Sequence, residues 1–179
     1  VITGLISSDA TLSTVSVLQF VLPGLEKLFN EQKVCFLDWI NCDPELLRAK
    51  GLTNKKGVDC MTGRNVQIWI KEVPANQKAD HFTTVCRLAG EAIKKGHTVK
   101  INHINDAELI KKKKIDVEYE RPGSHSYQEL VEKRDAATSK GHEVFFVCQN
   151  ENYELVKKAV GTERTIMRGE RLRVWLEKL

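Results

Sequence analysis

Proline is scarce in this 179-residue chain, with four in all, and no apolar run approaches the roughly 18 residues that cross a bilayer. The longest candidate, Val15 to Leu22, holds Ser16 and Gln19 inside it. No charged, apolar and small-residue succession marks a signal peptide. Together these absences point away from a membrane. The catalytic signatures that spacing alone reveals are missing too. No strand is followed by Gly-x-Gly-x-x-Gly or by a Gly-x4-Gly-Lys-Ser/Thr phosphate loop, which argues against an ordinary nucleotide-binding enzyme. No Gly-x-Ser-x-Gly elbow is present. Cys35, Cys42, Cys60, Cys86 and Cys148 are odd in number and widely spaced, with no Cys-x-x-Cys, so packed thiols in a reducing cytoplasm are expected.

What is present suits a globular α/β protein. The chain is 41% apolar and 29% charged, and its length can bury a sizeable core as a single domain over residues 1–179. It begins at Val1 without Met, so we expect it to have been excised from a longer protein. A net charge of +4 permits nucleic acid as a partner without demanding it.

Three segments resemble one another: Cys35 to Asn41 with Glu45 to Arg48, Val99 to Asn105 with Glu108 to Lys111, and Val144 to Asn150 with Glu154 to Lys157. Each reads as an apolar strand, an Asn turn and a short helix. The last two extend upstream, where Lys94-Lys95-Gly96-His97 matches Ser139-Lys140-Gly141-His142 at the end of a helix of about four turns. Before those helices stand the strands Val66 to Val73 and Ile115 to Glu120. The parse is an N-terminal helical and strand segment over 1–56, a first repeat over 57–112 and a second over 113–179.

Helical spacing of Phe82, Val85, Leu88, Ala92 and Ile93 supports the first long helix, with Asp80 as its expected N-cap. Ser126-Tyr-Gln-Glu129 is a capping box opening the second. Leu172, Trp175, Leu176 and Leu179 make one apolar face of a terminal helix. Val15 to Leu22 reads as a buried strand ending at Pro23-Gly24 or, as preferred, half of a Pro-kinked helix running on to Phe29. Residues 57–63 and 65–71 read as a hairpin across Thr62-Gly63-Arg64. Strands alternating with helices then predict a three-layer α/β sandwich around one mixed, mostly parallel sheet of five to seven strands.

The chemistry concentrates on Lys114-Ile-Asp-Val-Glu-Tyr-Glu120. Strand alternation puts Ile115, Val117 and Tyr119 on one face and Asp116, Glu118 and Glu120 on the other. Three carboxylates in a row need solvent, neighbouring cations or a bound metal. In the metal reading all three ligate Mg²⁺, a hard ion suited to phosphate chemistry, and a nearby lysine stabilises developing charge. In the other, this is a sheet-edge strand with a solvated acidic face. Lys111, Lys112, Lys113 and Lys114 form a solvated end or a phosphate-contacting run. Histidines 81, 97, 103, 125 and 142 lack ligand spacing and read as surface or capping groups; His125, beside Arg121, is the exception because it falls in the crevice beyond the strand.

A strand ending in an acidic pair, then a helix bearing a Lys, then an apolar strand resembles the core of the PD-(D/E)xK nuclease superfamily. The succession Ile-Asp-Val-Glu-Tyr-Glu…Glu-Leu-Val-Glu-Lys, within residues 80–150, looks most like replication-relaxation proteins of mobile elements. The resemblance implies Glu118 and Glu120 at the two positions of the (D/E)xK motif, with Glu where Lys is expected and Lys133 as a lysine relocated to the helix. Asp106, or less plausibly Asp59, would be the upstream acid. It implies Mg²⁺-dependent DNA cleavage with Glu118, Glu120 and Lys133 as catalytic groups, or a degenerate DNA-binding relative. Lys111 to Lys114, Arg121 and His125 would meet phosphates. The alternative is a non-catalytic Rossmann-like module that binds a protein or ligand within a larger assembly.

Overall fold

The computed structural model describes residues 17–102 and 106–179. Val15, Ser16, His103 and Asn105, on which some of the expectations fall, lie outside them. Helix α1 (Pro23–Gln32) begins at a proline, where the missing N–H is no loss because the first helical turn leaves its donors free. The kinked helix expected from Val15 onward is therefore not found over the described residues: Leu22 is extended, and Phe20 bridges Ile40 instead.

Strand β1 (Val34–Phe36), helix α2 (Glu45–Ala49), strand β2 (Thr53–Val58) and strand β3 (Asn65–Ile70) follow. The strands form an antiparallel sheet in the order β1-β3-β2. The hairpin read from the sequence is β2–β3, and Gly63 in its turn has φ +68, a conformation suited to glycine. Next come helix α3 (Ala79–Lys94), strands β4 (Thr98–Lys100), β5 (Ala107–Ile110) and β6 (Lys114–Glu120), and helix α4 (Tyr127–Ser139). Strand β7 (Glu143–Cys148), helix α5 (Tyr153–Val160), strand β8 (Thr165–Met167) and helix α6 (Glu170–Lys178) complete the chain. The second sheet runs β4-β5-β6-β7-β8.

The α/β class and a mixed sheet are thus as expected, and two features are not. The strands divide between two sheets, and only β6–β7 and β7–β8 are parallel. The helix expected over Glu108 to Lys111 is strand β5, whose residues alternate buried and half-buried as a period of two requires. Asp80 is not the cap of α3, which starts after an extended Lys78; Asp80 sits in the first turn.

Helix α3 is amphipathic twice over. Phe82, Cys86 and Ala89 pack with Phe36, Trp39, Trp69 and Ile70 of the three-stranded side. Val85, Leu88 and Ala92 pack with Leu109, Ile115, Val117 and Tyr119 of the five-stranded sheet, a cluster that also takes Leu172 and Leu176 of α6. Its Gly90 lies so close to Trp39 that an added Cβ would collide with the indole ring. A third cluster gathers Leu130 and Ala137 of α4 with Val144, Phe146 and Cys148 of β7 and Val156, Ala159 and Val160 of α5.

Candidate functional site

Strand β6 lies between β5 and β7, so it is no sheet edge. With Ile115, Val117 and Tyr119 committed to the cluster of α3 and α6, its alternate positions carry Asp116, Glu118 and Glu120, exposed by only 0%, 4% and 1%. The solvated acidic face is thereby excluded, and the buried carboxylates must find partners within the protein. They find different ones.

Lys133 is the central partner. The Ser126–Glu129 capping box forms as the sequence predicts, with the Ser126 Oγ accepting from the Glu129 amide and Glu129 accepting from the Ser126 amide at 2.6 Å. That start sets the phase of α4, so that Leu130, Lys133 and Ala137 recur at three- and four-residue spacing. Lys133 Nζ donates to Glu118 Oε2 at 2.7 Å and to Glu120 Oε1 at 3.0 Å. Glu120 Oε2 accepts from Ser124 Oγ at 3.0 Å and lies 2.6 Å from His125 Nδ1. The Glu120 carbonyl accepts from Asn152 Nδ2 at 3.1 Å.

One ammonium therefore serves two buried carboxylates. Burial pushes the Glu118 carboxyl up to about 7, against the pull of Lys133, and Asp106 and Glu120 add to the rise as like charges. Burial lowers the Lys133 ammonium, but Glu118 and Glu120 outweigh it and hold the lysine above its ordinary range. Asp106 stands beside the same strand end: its Oδ2 accepts from the Tyr119 amide at 2.5 Å and its Oδ1 lies 3.1 Å from His81 Nε2. Across the sheet, the Tyr119 hydroxyl meets Asp80, Gln149 and Arg168 at 3.2, 2.9 and 3.0 Å.

Asp116 stands apart from this group. Both of its oxygens lie 3.1 Å from His142 Nδ1, and Glu108, its cross-strand neighbour, brings a third potential metal ligand within 4.8 Å. Among the described residues this is the one cluster of three such ligands, so Asp116, Glu118 and Glu120 do not converge as a single donor set. The lysine run is separated as well. Lys111 to Lys113 and the start of β6 lie at one end of the strand; Glu120, Arg121 and His125 lie about 20 Å away at the other, at about 3.3 Å per residue. Lys113 pairs with Glu143 at 2.6 Å and Lys111 donates to the Lys95 carbonyl at 3.0 Å. Lys112 and Lys114 are exposed.

Sequence reasoning found Asp106, Glu118, Glu120, Lys133 and His125, which share this strand end, through strand alternation and the helix that follows. It missed His81, Gln149, Asn152 and Arg168, because they come from α3, the turn after β7 and the end of β8, and their partners on β6 and beside it are distant in sequence. Three of the buried thiols are poor nucleophiles: burial pushes Cys35, Cys60 and Cys148 up to about 12. No family model, curated protein or solved structure matches the chain. No helix among the described residues is long and apolar enough to cross a membrane.

Proposed function

We propose that this is a nucleic-acid-associated, nuclease-like domain of the cytoplasm, with a phosphodiester-directed site at the C-terminal end of β6. The observation that carries it is the bridging of two buried carboxylates, Glu118 and Glu120, by Lys133. The order of strand, lysine-bearing helix and neighbouring parallel strand is that of the PD-(D/E)xK resemblance.

Mg²⁺ fits this corner by charge and donor type. Glu118 and Glu120 offer hard oxygen atoms and share a single lysine, whereas Asp106, whose charge raises Glu118, does not gather with them into a three-ligand group. Glu118 and Glu120 would hold the ion, with water completing its shell, and Asp116, engaged by His142, would not. A divalent ion there would polarise a phosphodiester and lower the pKa of bound water. The chain's own groups have separate tasks. Lys133 sets a positive charge where phosphate charge would build. His125 and Ser124 fix the Glu120 carboxylate by holding its second oxygen. Glu118, drawn up to about 7, is the group that exchanges a proton when the site changes charge.

A second reading has its own observation. Both Glu120 oxygens are already engaged by Lys133, His125 and Ser124, an arrangement that also suits a non-catalytic module whose charges hold α4 on the sheet. Calorimetric titration with Mn²⁺ of wild type and of Glu118→Ala/Glu120→Ala, followed by plasmid nicking, separates the two. The nuclease reading expects binding and nicking that the double variant loses. Absence of binding in both proteins would leave the non-catalytic module.

A further inference from the structure

A cavity of about 440 Å³ opens at the far corner of the five-stranded sheet, on the opposite face and at the opposite end from Glu118 and Glu120. Its walls are Ile115, Phe145, Trp175 and Leu179, with the Glu143 carboxylate beside Lys113. Lys111, Lys112, Lys113 and Lys178 surround the opening, and His97 lines it from the α3–β4 turn. The volume is within the roughly 300–1,000 Å³ of small-molecule sites.

Three observations narrow what would sit there. First, Lys112 and Lys178 come from separate elements, and neither has a counter-charge among the described residues; Lys113 alone on this rim shares its charge with an acid, Glu143. The cationic rim is spread around the opening, which favours a polyanion over a single headgroup. Second, Phe145 and Trp175 stand with ring centroids 5.0 Å apart, and the Trp175 face is partly open. Trp175 also fronts a shallower depression with Glu170, Arg171, Val174 and Lys178, so the aromatic surface continues along α6 with two cations and one acid around it. Third, His97 is only 6% exposed, and its ring nitrogens have no close hydrogen bond, the Leu179 backbone alone coming near. Burial lowers its pKa, the Lys111 charge adds to the fall, and the Leu179 backbone only partly opposes them. A neutral imidazole offers one donor and one acceptor. A hydrocarbon tail would leave the nitrogen that faces it unpaired, whereas the edge of a nucleobase supplies a partner of either kind to that one nitrogen.

We infer that this cavity seats an unpaired base of a single-stranded nucleic acid, stacked on Trp175, with flanking phosphates on Lys112 and Lys178. Basic grooves with aromatic platforms are the general means of holding single strands, because every base presents a π-face. This inference rests on the nucleic-acid reading proposed above and gives it a strand type and a location.

Trp175 is its own reporter, since Trp39 and Trp69 are exposed by 0% and 2% and are shielded from ligand. The experiment titrates wild type with a fluorescently labelled oligodeoxythymidylate of about 12 nucleotides, following label anisotropy and tryptophan emission together. The same titration uses a blunt duplex and, separately, decanoate. The expected result is binding with quenching by the single strand, and weaker binding of the duplex. Trp175→Leu should lose the quench and bind at least about 5-fold more weakly. Lys112→Glu, an exposed change that leaves the fold intact by circular dichroism, should weaken binding and flatten its salt dependence. Single-strand binding without quenching, or equal quenching by the duplex, would overturn the inference and leave the nucleic-acid reading standing. Displacement of the quench by decanoate would also overturn it. Failure of both single strand and duplex to bind would overturn inference and reading together.

Discussion

Two stretches of this chain end in the same turn and use it differently. Setting Gly96-His97 over Gly141-His142 aligns α3 with α4, and both glycines have positive φ, +85 and +73. In both, the histidine amide donates back to an alanine carbonyl, Ala92 in one and Ala137 in the other. The alignment also pairs Val85 with Leu130, Ala92 with Ala137, and Leu88 with Lys133. The helix face turned to the five-stranded sheet thus has the same phase in both stretches, and one position changes from leucine to lysine. Leu88 meets the apolar face of β6, whereas Lys133 meets its acidic face. The strands diverge further: β6 and β7 are parallel neighbours, but β3 and β4 belong to different sheets. The common pattern is one of local capping and phase, and the partner sheet decides the chemistry.

Making α4 more like α3 should be the most damaging change. Lys133→Met imports an apolar side chain onto two carboxylates whose side chains are 5% and 2% exposed. At pH 8 it should cost about 3 kcal/mol in urea denaturation, as removal of one partner from a buried ion pair does. The cost should shrink at pH 5, where Glu118 carries a proton. The same reasoning fixes a pH dependence in the wild type. Glu118 rises from an ordinary 4.5 to about 7 on folding, so its proton stabilises the fold at acid pH. That contribution is present below about 4.5 and is lost as pH rises through about 7. Glu118→Gln should flatten the stability profile across that window. A profile unchanged by the substitution would mean that Glu118 titrates normally.

The reverse contrast concerns the outer face of each helix. Gly90 of α3 aligns with Asp135 of α4, whose side chain is 62% exposed. Because α3 has a second sheet behind it, Gly90→Ala should drive a methyl group into Trp39 and cost about 2–3 kcal/mol by thermal denaturation. Asp135→Ala should stay within about 0.5 kcal/mol of wild type. Equal effects would remove the distinction between a helix buried on two sides and one buried on one.

These contrasts also show how far the sequence could be read. The capping box at Ser126, the left-handed glycines and the alternation of β6 are local rules, and all three appear as expected. They sufficed to put Glu118, Glu120 and Lys133 forward together. Division into two sheets was not legible, because Val66 to Ile70 and Val99 to Ile101 carry the same apolar strand signal whichever sheet they join. Nor was the identity of β5, whose Ala-Glu-Leu-Ile is short enough to suit a helix turn or a strand. Asp116 looked equivalent to Glu118 because both alternate onto one face. Only tertiary structure gives the first to His142 and the second to Lys133.

The two turn histidines supply the smallest and sharpest contrast. His142 holds both oxygens of Asp116, a carboxylate with no exposure, while His97 leaves both ring nitrogens without a close hydrogen bond. His142→Leu strands the Asp116 charge beside Glu108 and should cost about 2 kcal/mol. His97→Leu removes polar atoms with no close hydrogen bond in the free protein, only the Leu179 backbone nearby, so its effect should lie between zero and about 1 kcal/mol of stabilisation. Equilibrium urea denaturation of both variants under one buffer measures the pair. If His97→Leu proved as harmful as His142→Leu, the imidazole at 97 would have an internal partner, and the cavity it lines would lose its reason for a polar ligand. If the two differ in sign, position 97 is maintained at a cost to the free fold, as a group reserved for something that binds there should be.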